Sequence, residues 1–456
     1  MPTAAELLSR AEKPLEEALR LHPLYRGKVQ MMPKCPVRGP EDWSIWYTPG
    51  VAAPCKAIVK QPERVYDYTN KGNLIAVVSD GTRVLGLGNI GPEAGLPVME
   101  GKALLFKYLG GIDAVPLCIR VTDEDAIVEV VKALEPSFGG INLEDLAQPK
   151  CFRVLERLRA ELHIPVWHDD QQGTATVVLA AIINALKVVG KDIRDVKIAM
   201  IGVGAANVAV YHLLKKAGIA ARKVIACDSK GTLHEGRTDI MRAQGFFREK
   251  WRICLETNGD RAVGGIAEAL RRADICIAFS QSGPGVIQPP WIRTMARDAI
   301  VLACANPVPE IWPWEALEAG ARIVATGRSD FPNQVNNSLV FPGIFRGALD
   351  VRARSITDEM AMEAARELAA CGEARGLRDE QILAPMGDEH ITARVAAATA
   401  IMAQRQAVSR IAMSEDEAYR RALAAIKSAQ AATQALCRDG IIPAPPPREG
   451  AAPSVA

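Results

Sequence analysis

Two acidic pairs, Glu144-Asp145 in GGINLEDL and Asp169-Asp170 in PVWHDDQQGTA, offer the most specific chemistry in this chain. Hard divalent cations such as Mg2+ or Mn2+ take oxygen ligands in octahedral array, and two or three carboxylates with substrate oxygens supply that shell. His168 is a zinc-type ligand, but no second His or Cys stands at ligand spacing. An acid pair in isolation is ordinarily solvated surface charge. These two stand at apparent strand ends, where α/β sheets gather ligands, and Gly173-Thr174 opens a helix directly behind the second. Lys102, in MEGKALLFKYLGG, follows a glycine-rich loop and is flanked by apolar residues. A lysine whose pKa is lowered by burial near a metal can act as a base; composition alone makes it an exposed helix lysine. Tyr47, in WYTPGV, is a candidate proton donor, against the commoner reading of an aromatic packed beside proline.

A second constellation lies downstream. KIAMIGVGAANVAVYHLLKKAG reads as a hydrophobic strand, then Gly202-x-Gly204-x-x-Asn207, then a helix. The next strand, KVIACDSKG, brings Asp228 and Ser229 to its end, about 20 residues past the loop. This is the context of a dinucleotide site: Gly202 permits the tight turn, Gly204 lets backbone approach the pyrophosphate at a helix N-terminus, and Asp228 accepts from ribose hydroxyls. Asn207 stands where a small residue usually permits close helix–strand packing. An acid at 228 favours NAD, while Lys230 would pair with the extra phosphate of NADP, so both cofactors stay open.

The elements that must position these residues alternate. Strands are expected at Leu74–Ser79, Ala114–Ile119, Ile164–Trp167, Lys197–Ile201, Lys223–Cys227, Ile275–Phe279, Ile300–Cys304 and Arg322–Ala325. Helices are expected over 4–21, from Val98–Gly101 onward, and at Asp123–Leu134, Cys151–Glu161 and Thr174–Val189, with Ala-rich helix through 357–437. His22–Pro54 reads as a Pro/Gly-rich passage and Gly86–Gly95 as a loop. Alternation of this kind argues α/β architecture with parallel sheets. The expected division is an N-terminal catalytic α/β domain (1–165), a Rossmann-type doubly wound domain with C-terminal helices (166–440) and a flexible tail (441–456).

Composition narrows the function class. Lys+Arg (55) nearly balances Asp+Glu (53) over 456 residues, so no strong field favours nucleic acid or an acidic membrane. Ten scattered cysteines include no C-x-x-C pair, which fits reduced residues in a cytoplasmic protein. The first twenty residues are not a secretory signal, and the absence of a long uninterrupted apolar run predicts no membrane span.

Taken together and in order, YTPGVAAPC (47–55), SDGTRVLGLGNIGPEAGLPVMEGK (79–102), INLED (141–145), HDDQQGTA (168–175), ANPVPEI (305–311) and SDFPNQVNNSLVFPGIFRGALD (329–350) resemble the bacterial short-form malic enzymes. The resemblance implies oxidation of L-malate by NAD+ or NADP+, decarboxylation to pyruvate and CO2, dependence on Mg2+ or Mn2+, and assembly as a homodimer or homotetramer. It implies Tyr47 as general acid and Lys102 as general base. Glu144, Asp145 and Asp170 become metal ligands with Asp169 beside them. Asn306 and Asn337 contact substrate, with Asn306 also on the cofactor side, and Arg83 grips a carboxylate as in the larger members. Asn207 departs from the family pattern, SQSGPGVIQPP (280–290) is longer than the usual segment near the nicotinamide, and the chain is too short for the phosphotransacetylase-like domain of some relatives. Two rival readings remain: an oxidoreductase acting on another 2-hydroxy acid or running a malolactic conversion, and a non-catalytic dinucleotide and dicarboxylate sensor.

Overall fold

A computed structural model describes residues 4–447. Among the described residues, ten strands form two sheets. In the first, β1 (Leu74–Ser79), β2 (Asp113–Cys118), β3 (Gly140–Leu143) and β4 (Val166–His168) are all parallel in the order β2-β1-β3-β4. β1 and β3 are almost wholly buried, as befits parallel strands covered by helices on both faces. The boundary expected after residue 165 cuts this sheet, because β4 is its edge strand.

The second sheet contains β5 (Ile198–Ile201), β6 (Val224–Asp228), β7 (Gly231–Thr232), β8 (Ile275–Ala278), β9 (Ile300–Ala303) and β10 (Ile323–Thr326) in the order β10-β9-β8-β5-β6-β7. All pairs are parallel except the short β6–β7 hairpin. This is the doubly wound dinucleotide-binding order, and the winding reverses between β5 and β8, where such sheets bind their ligands.

The helix Thr174–Val189 joins the two sheets and is buried along nearly its whole length. By length and composition the stretch Asp169–Val189 could cross a membrane, but 78% of its apolar window is buried inside the protein, so it is a core helix. The C-terminal segment divides into helices Phe341–Asp350, Asp358–Glu373, Glu389–Arg405 and Glu415–Arg438. Phe341 and Phe345 close on Phe106 of the helix Gly91–Gly110, with ring centroids 4.6 and 5.2 Å apart. The second of these helices packs on Thr174–Val189. The C-terminal helices therefore brace the catalytic side of the molecule.

Of the expected tail, residues 448–456 lie outside the described residues. The preceding stretch is pinned: Pro443 and Pro446 carbonyls accept hydrogen bonds from Tyr25 and Arg20 of the first helix, Ala4–Tyr25. The His22–Pro54 passage also corrects the expectation, since it contains the helix Pro40–Trp46 and the start of the helix Ala52–Lys60.

Candidate active site

Adjacent parallel strands β3 and β4 end on the two acidic pairs, so the register of the sheet delivers both to one place. Carboxylate oxygens of Glu144, Asp145 and Asp170 all lie within 4.8 Å of one another. Asp145 adopts a left-handed conformation (φ 56°), unusual for a residue with a side chain. Its N–H donates to Asp170 Oδ2 at 2.8 Å, and its carbonyl accepts from the Arg83 N–H at 3.0 Å. Asn142 Nδ2 holds Glu144 Oε2 at 2.9 Å. After β4 the chain makes one turn of π-helix, Asp169–Gly173, a local widening often found at functional sites. Gly173 is needed there, because a Cβ at that position would sit 1.9 Å from Asp169 Oδ1.

Burial pushes Glu144 well above the usual carboxylate range and Asp145 up to about 8, with the neighbouring Asp170 carboxylate adding to both. Burial also raises Asp169, against the pull of Lys102. Asp145 Oδ2 is buried with no hydrogen-bond partner. Crowded, poorly solvated carboxylates with an orphaned oxygen are what a hard divalent cation relieves, so Glu144, Asp145 and Asp170 fit Mg2+ or Mn2+.

Lys102 reaches this cluster from the helix Gly91–Gly110. Its ammonium pairs with Asp169, lies 3.0 Å from Glu144 Oε1 and 3.3 Å from Asn337 Oδ1, and sits over the Phe341 ring at 4.6 Å. The lowered pKa expected from burial does not hold in this setting. Burial does push the ammonium down, but Asp169, Glu144 and Asp170 outweigh it and the net shift is upward. A cation on the same carboxylates would cancel much of that upward pull.

The cluster opens into a cavity of about 640 Å³, within the range of small-molecule sites. Its lining includes Lys102, Glu144, Asp145 and Asp170 together with Gly204, Ala205 and Ala206. Arg83, Asn306 and Asn337 line the same cavity. Gly202, in the turn before Gly204, does not itself line the cavity; it has φ 88°, and a Cβ there would meet the Phe279 carbonyl at 2.4 Å. Asn207, the departure from the small-residue pattern, is buried and stitches the switch point together. Its Nδ2 donates to the carbonyls of Gly202 (2.8 Å), Ile201 (3.0 Å) and Ile277 (3.5 Å), joining β5 to β8.

Asp228 closes β6 as expected, but its carboxylate is engaged by Arg237, with Nη1–Oδ1 3.0 Å and Nη2–Oδ2 3.1 Å, and by Lys250 at 3.7 Å. Sequence reasoning missed Arg237, nine positions downstream and marked by no motif. It also left Asn142 unassigned inside INLED. Ser229 is exposed. Tyr47 is not brought to the cluster: its side chain is 71% exposed and does not line the cavity.

A doubly wound sheet facing a carboxylate cluster that cages a lysine defines a dinucleotide-dependent, divalent-metal-dependent oxidoreductase. Comparison with known proteins narrows the class. The family models for the malic enzyme N-terminal domain (residues 26–127 and 121–159) and the malic enzyme NAD-binding domain (171–406) both match. The chain is 48% identical over 402 residues to a bifunctional malic/malolactic enzyme of Bacillus subtilis, covering 88% of this chain and 96% of that one. It is 46% identical over 367 residues to an NADP-dependent malic enzyme of Escherichia coli, covering 80% of this chain and 47% of the relative. The crystal structure of a malic enzyme from Entamoeba histolytica superposes with a TM-score of 0.94 at 46% identity, covering 98% and 93% of the two chains. The chain belongs to the malic enzyme family.

Proposed function

We propose that this protein oxidises L-malate and decarboxylates it to pyruvate and CO2, reducing NAD+ or NADP+. The observation that carries the reading is the placing of Lys102 between Asp169, Glu144 and Asn337, in the same cavity as the Gly204–Ala206 turn. When bound, the divalent cation supplies polarisation of substrate oxygens and the dinucleotide supplies the hydride acceptor.

The chain's own residues do the rest. Arg83 offers a planar two-point contact for a substrate carboxylate, and Asn306 and Asn337 offer amide contacts along the cavity wall. With a cation on the neighbouring carboxylates, Lys102 would pass its proton to Asp169, buried and ion-paired to it, and as the neutral amine take the hydroxyl proton of malate. Tyr47 returns a proton to the product carbon. Its exposure, together with exposed Trp43, Ile45 and Trp46, supports a homodimer or homotetramer in which a second copy covers this apolar surface and receives Tyr47. Ten cysteines without a disulfide support a cytoplasmic setting.

The name of the Bacillus subtilis relative, a bifunctional malic/malolactic enzyme, favours a second product, lactate, formed without net dinucleotide reduction. The Lys102→Ala protein tests the assignment: turnover of malate should fall by about two orders of magnitude or more while dinucleotide binding, measured by calorimetry, is retained. Unchanged turnover would remove Lys102 from its role as base.

A further inference from the structure

The loops following β8 and β9 meet over a carboxylate that the reaction does not use. Glu310 is fully buried. Its Oε1 accepts from the Ser280 N–H at 2.8 Å and the Ser280 hydroxyl at 3.0 Å, and its Oε2 accepts from the Ala305 N–H at 3.0 Å. One carboxylate thus grips the first residues of both loops. Burial pushes the carboxyl up, and these donors pull it back towards the ionised form. The two loops are cross-linked again further out. Ser282 Oγ donates to the Val308 carbonyl at 3.2 Å and accepts from the Val308 N–H at 3.1 Å, and Gly283 N–H donates to the same carbonyl at 3.1 Å.

This loop pair stands where the cavity needs a fixed wall. Phe279, Ser280, Ala305 and Asn306 line it, together with Gly204 and the carboxylates Glu144, Asp145 and Asp170. The loop before Lys102 rests on the same pair: a Cβ on Gly86 would lie 2.4 Å from the Asn306 carbonyl and 2.8 Å from Ser282 Cβ. A shift of either loop would therefore move the cavity wall and the contact between the two domains together.

We propose that Glu310 is a positioning residue, whose carboxylate sets the loops after β8 and β9 in the one relative placement that turns Ser280 and Asn306 towards the dinucleotide. The inference rests on the malic enzyme reading for what the cavity binds. The Glu310→Gln exchange is nearly isosteric but puts an amide NH2 against one of the donors. With an N–H left facing no acceptor, a shift of roughly tenfold is expected in equilibria that depend on the loop pair.

The test uses the full chain as wild type, Glu310→Gln, Ser280→Ala and the double variant. The measurements are the dissociation constant for NAD+ and NADP+ by calorimetry, the KM for each dinucleotide and kcat at saturating L-malate, and the melting temperature. Glu310→Gln should weaken dinucleotide binding and raise its KM about tenfold. Ser280→Ala should shift both in the same direction by a few-fold, and should add little in the Glu310→Gln background, because the two residues act as one unit. A lowered melting temperature with wild-type dinucleotide binding would overturn the proposal, as would fully additive effects. Should Glu310→Gln fail to fold, Ser280→Ala decides alone, and unchanged dinucleotide affinity then overturns it. Wild-type protein that binds dinucleotide but does not turn over malate would count against the proposed reaction, while the binding constants still read Glu310.

Discussion

Replacing Gly173 with alanine should disable the site with little effect on the dinucleotide end of the cavity. The new Cβ would lie 1.9 Å from Asp169 Oδ1 and 2.9 Å from Asp169 Cγ, with Asn337 Cβ on its other side at 3.3 Å. Ordinary contact begins at 3.4 Å, so the Asp169 oxygen must retreat by about 1.5 Å. That oxygen accepts from Trp167 Nε1 at 3.3 Å and the other is ion-paired to Lys102, so no free direction exists. Overpacking of this kind costs about 1–3 kcal/mol, and loosening the buried Lys102–Asp169 pair adds to it. At about 2–4 °C per kcal/mol, the melting temperature should fall by several degrees. Displacing a catalytic group by about 1 Å costs on the order of 100-fold in rate. The assay is reduced-nicotinamide formation with saturating L-malate and Mn2+, beside a dinucleotide titration. A Gly173→Ala protein with wild-type kcat would refute the argument that the π-helix turn sets Asp169 against Lys102.

Three further outcomes follow from the same geometry. Asn207→Ala strands the carbonyls that its amide now serves at the switch point, so it should cost about 1–3 kcal/mol of stability and weaken dinucleotide binding; calorimetry showing full affinity would contradict this. Glu249 is held down to about 2 by its hydrogen bond with His212, helped against burial by Arg252. Because the folded value lies below the ordinary 4.5, its contribution is present above pH 4.5 and is lost as pH falls towards 2. Glu249→Gln should therefore flatten the melting-temperature profile across that window, and a profile parallel to wild type would count against the pairing. If Tyr47 serves a second copy, mixing unfolded Tyr47→Phe and Lys102→Ala chains and refolding them together should recover activity that neither has alone; no recovery in confirmed mixed oligomers would return Tyr47 to its own cleft.

Much of the fold was legible because parallel strands buried on both faces read as short apolar runs. LIAVVS and IAMI are seen at once, and eight of the ten observed strands, all but β3 and β7, fall within two residues of those expected. β3 reads only as an apparent strand end before Glu144-Asp145, without bounds, because it is four residues long and begins on glycine, a residue read as a break. The helix Pro40–Trp46 escaped for the converse reason. Its proline occupies the first turn, where a missing N–H costs nothing, yet in a Pro/Gly-rich passage it reads as a stop. In the active site, the carboxylates and Lys102 carried their chemistry in residue type and motif. The direction of the lysine's shift did not, since it depends on three carboxylates gathered from two strands. Arg237 acts on Asp228 from a position that no motif marks, Glu310 reaches Ser280 thirty residues away, and Tyr47's exposure depends on the path of the chain around it.

The central claim is tested most directly by incubating the full chain with L-malate, Mn2+ and either NAD+ or NADP+, following reduced-nicotinamide absorbance and pyruvate in one tube. The account predicts that both rise in equal molar amounts, stop on addition of chelator and resume with excess Mn2+. Dinucleotide binding without either product, or pyruvate formation untouched by chelator, would contradict it.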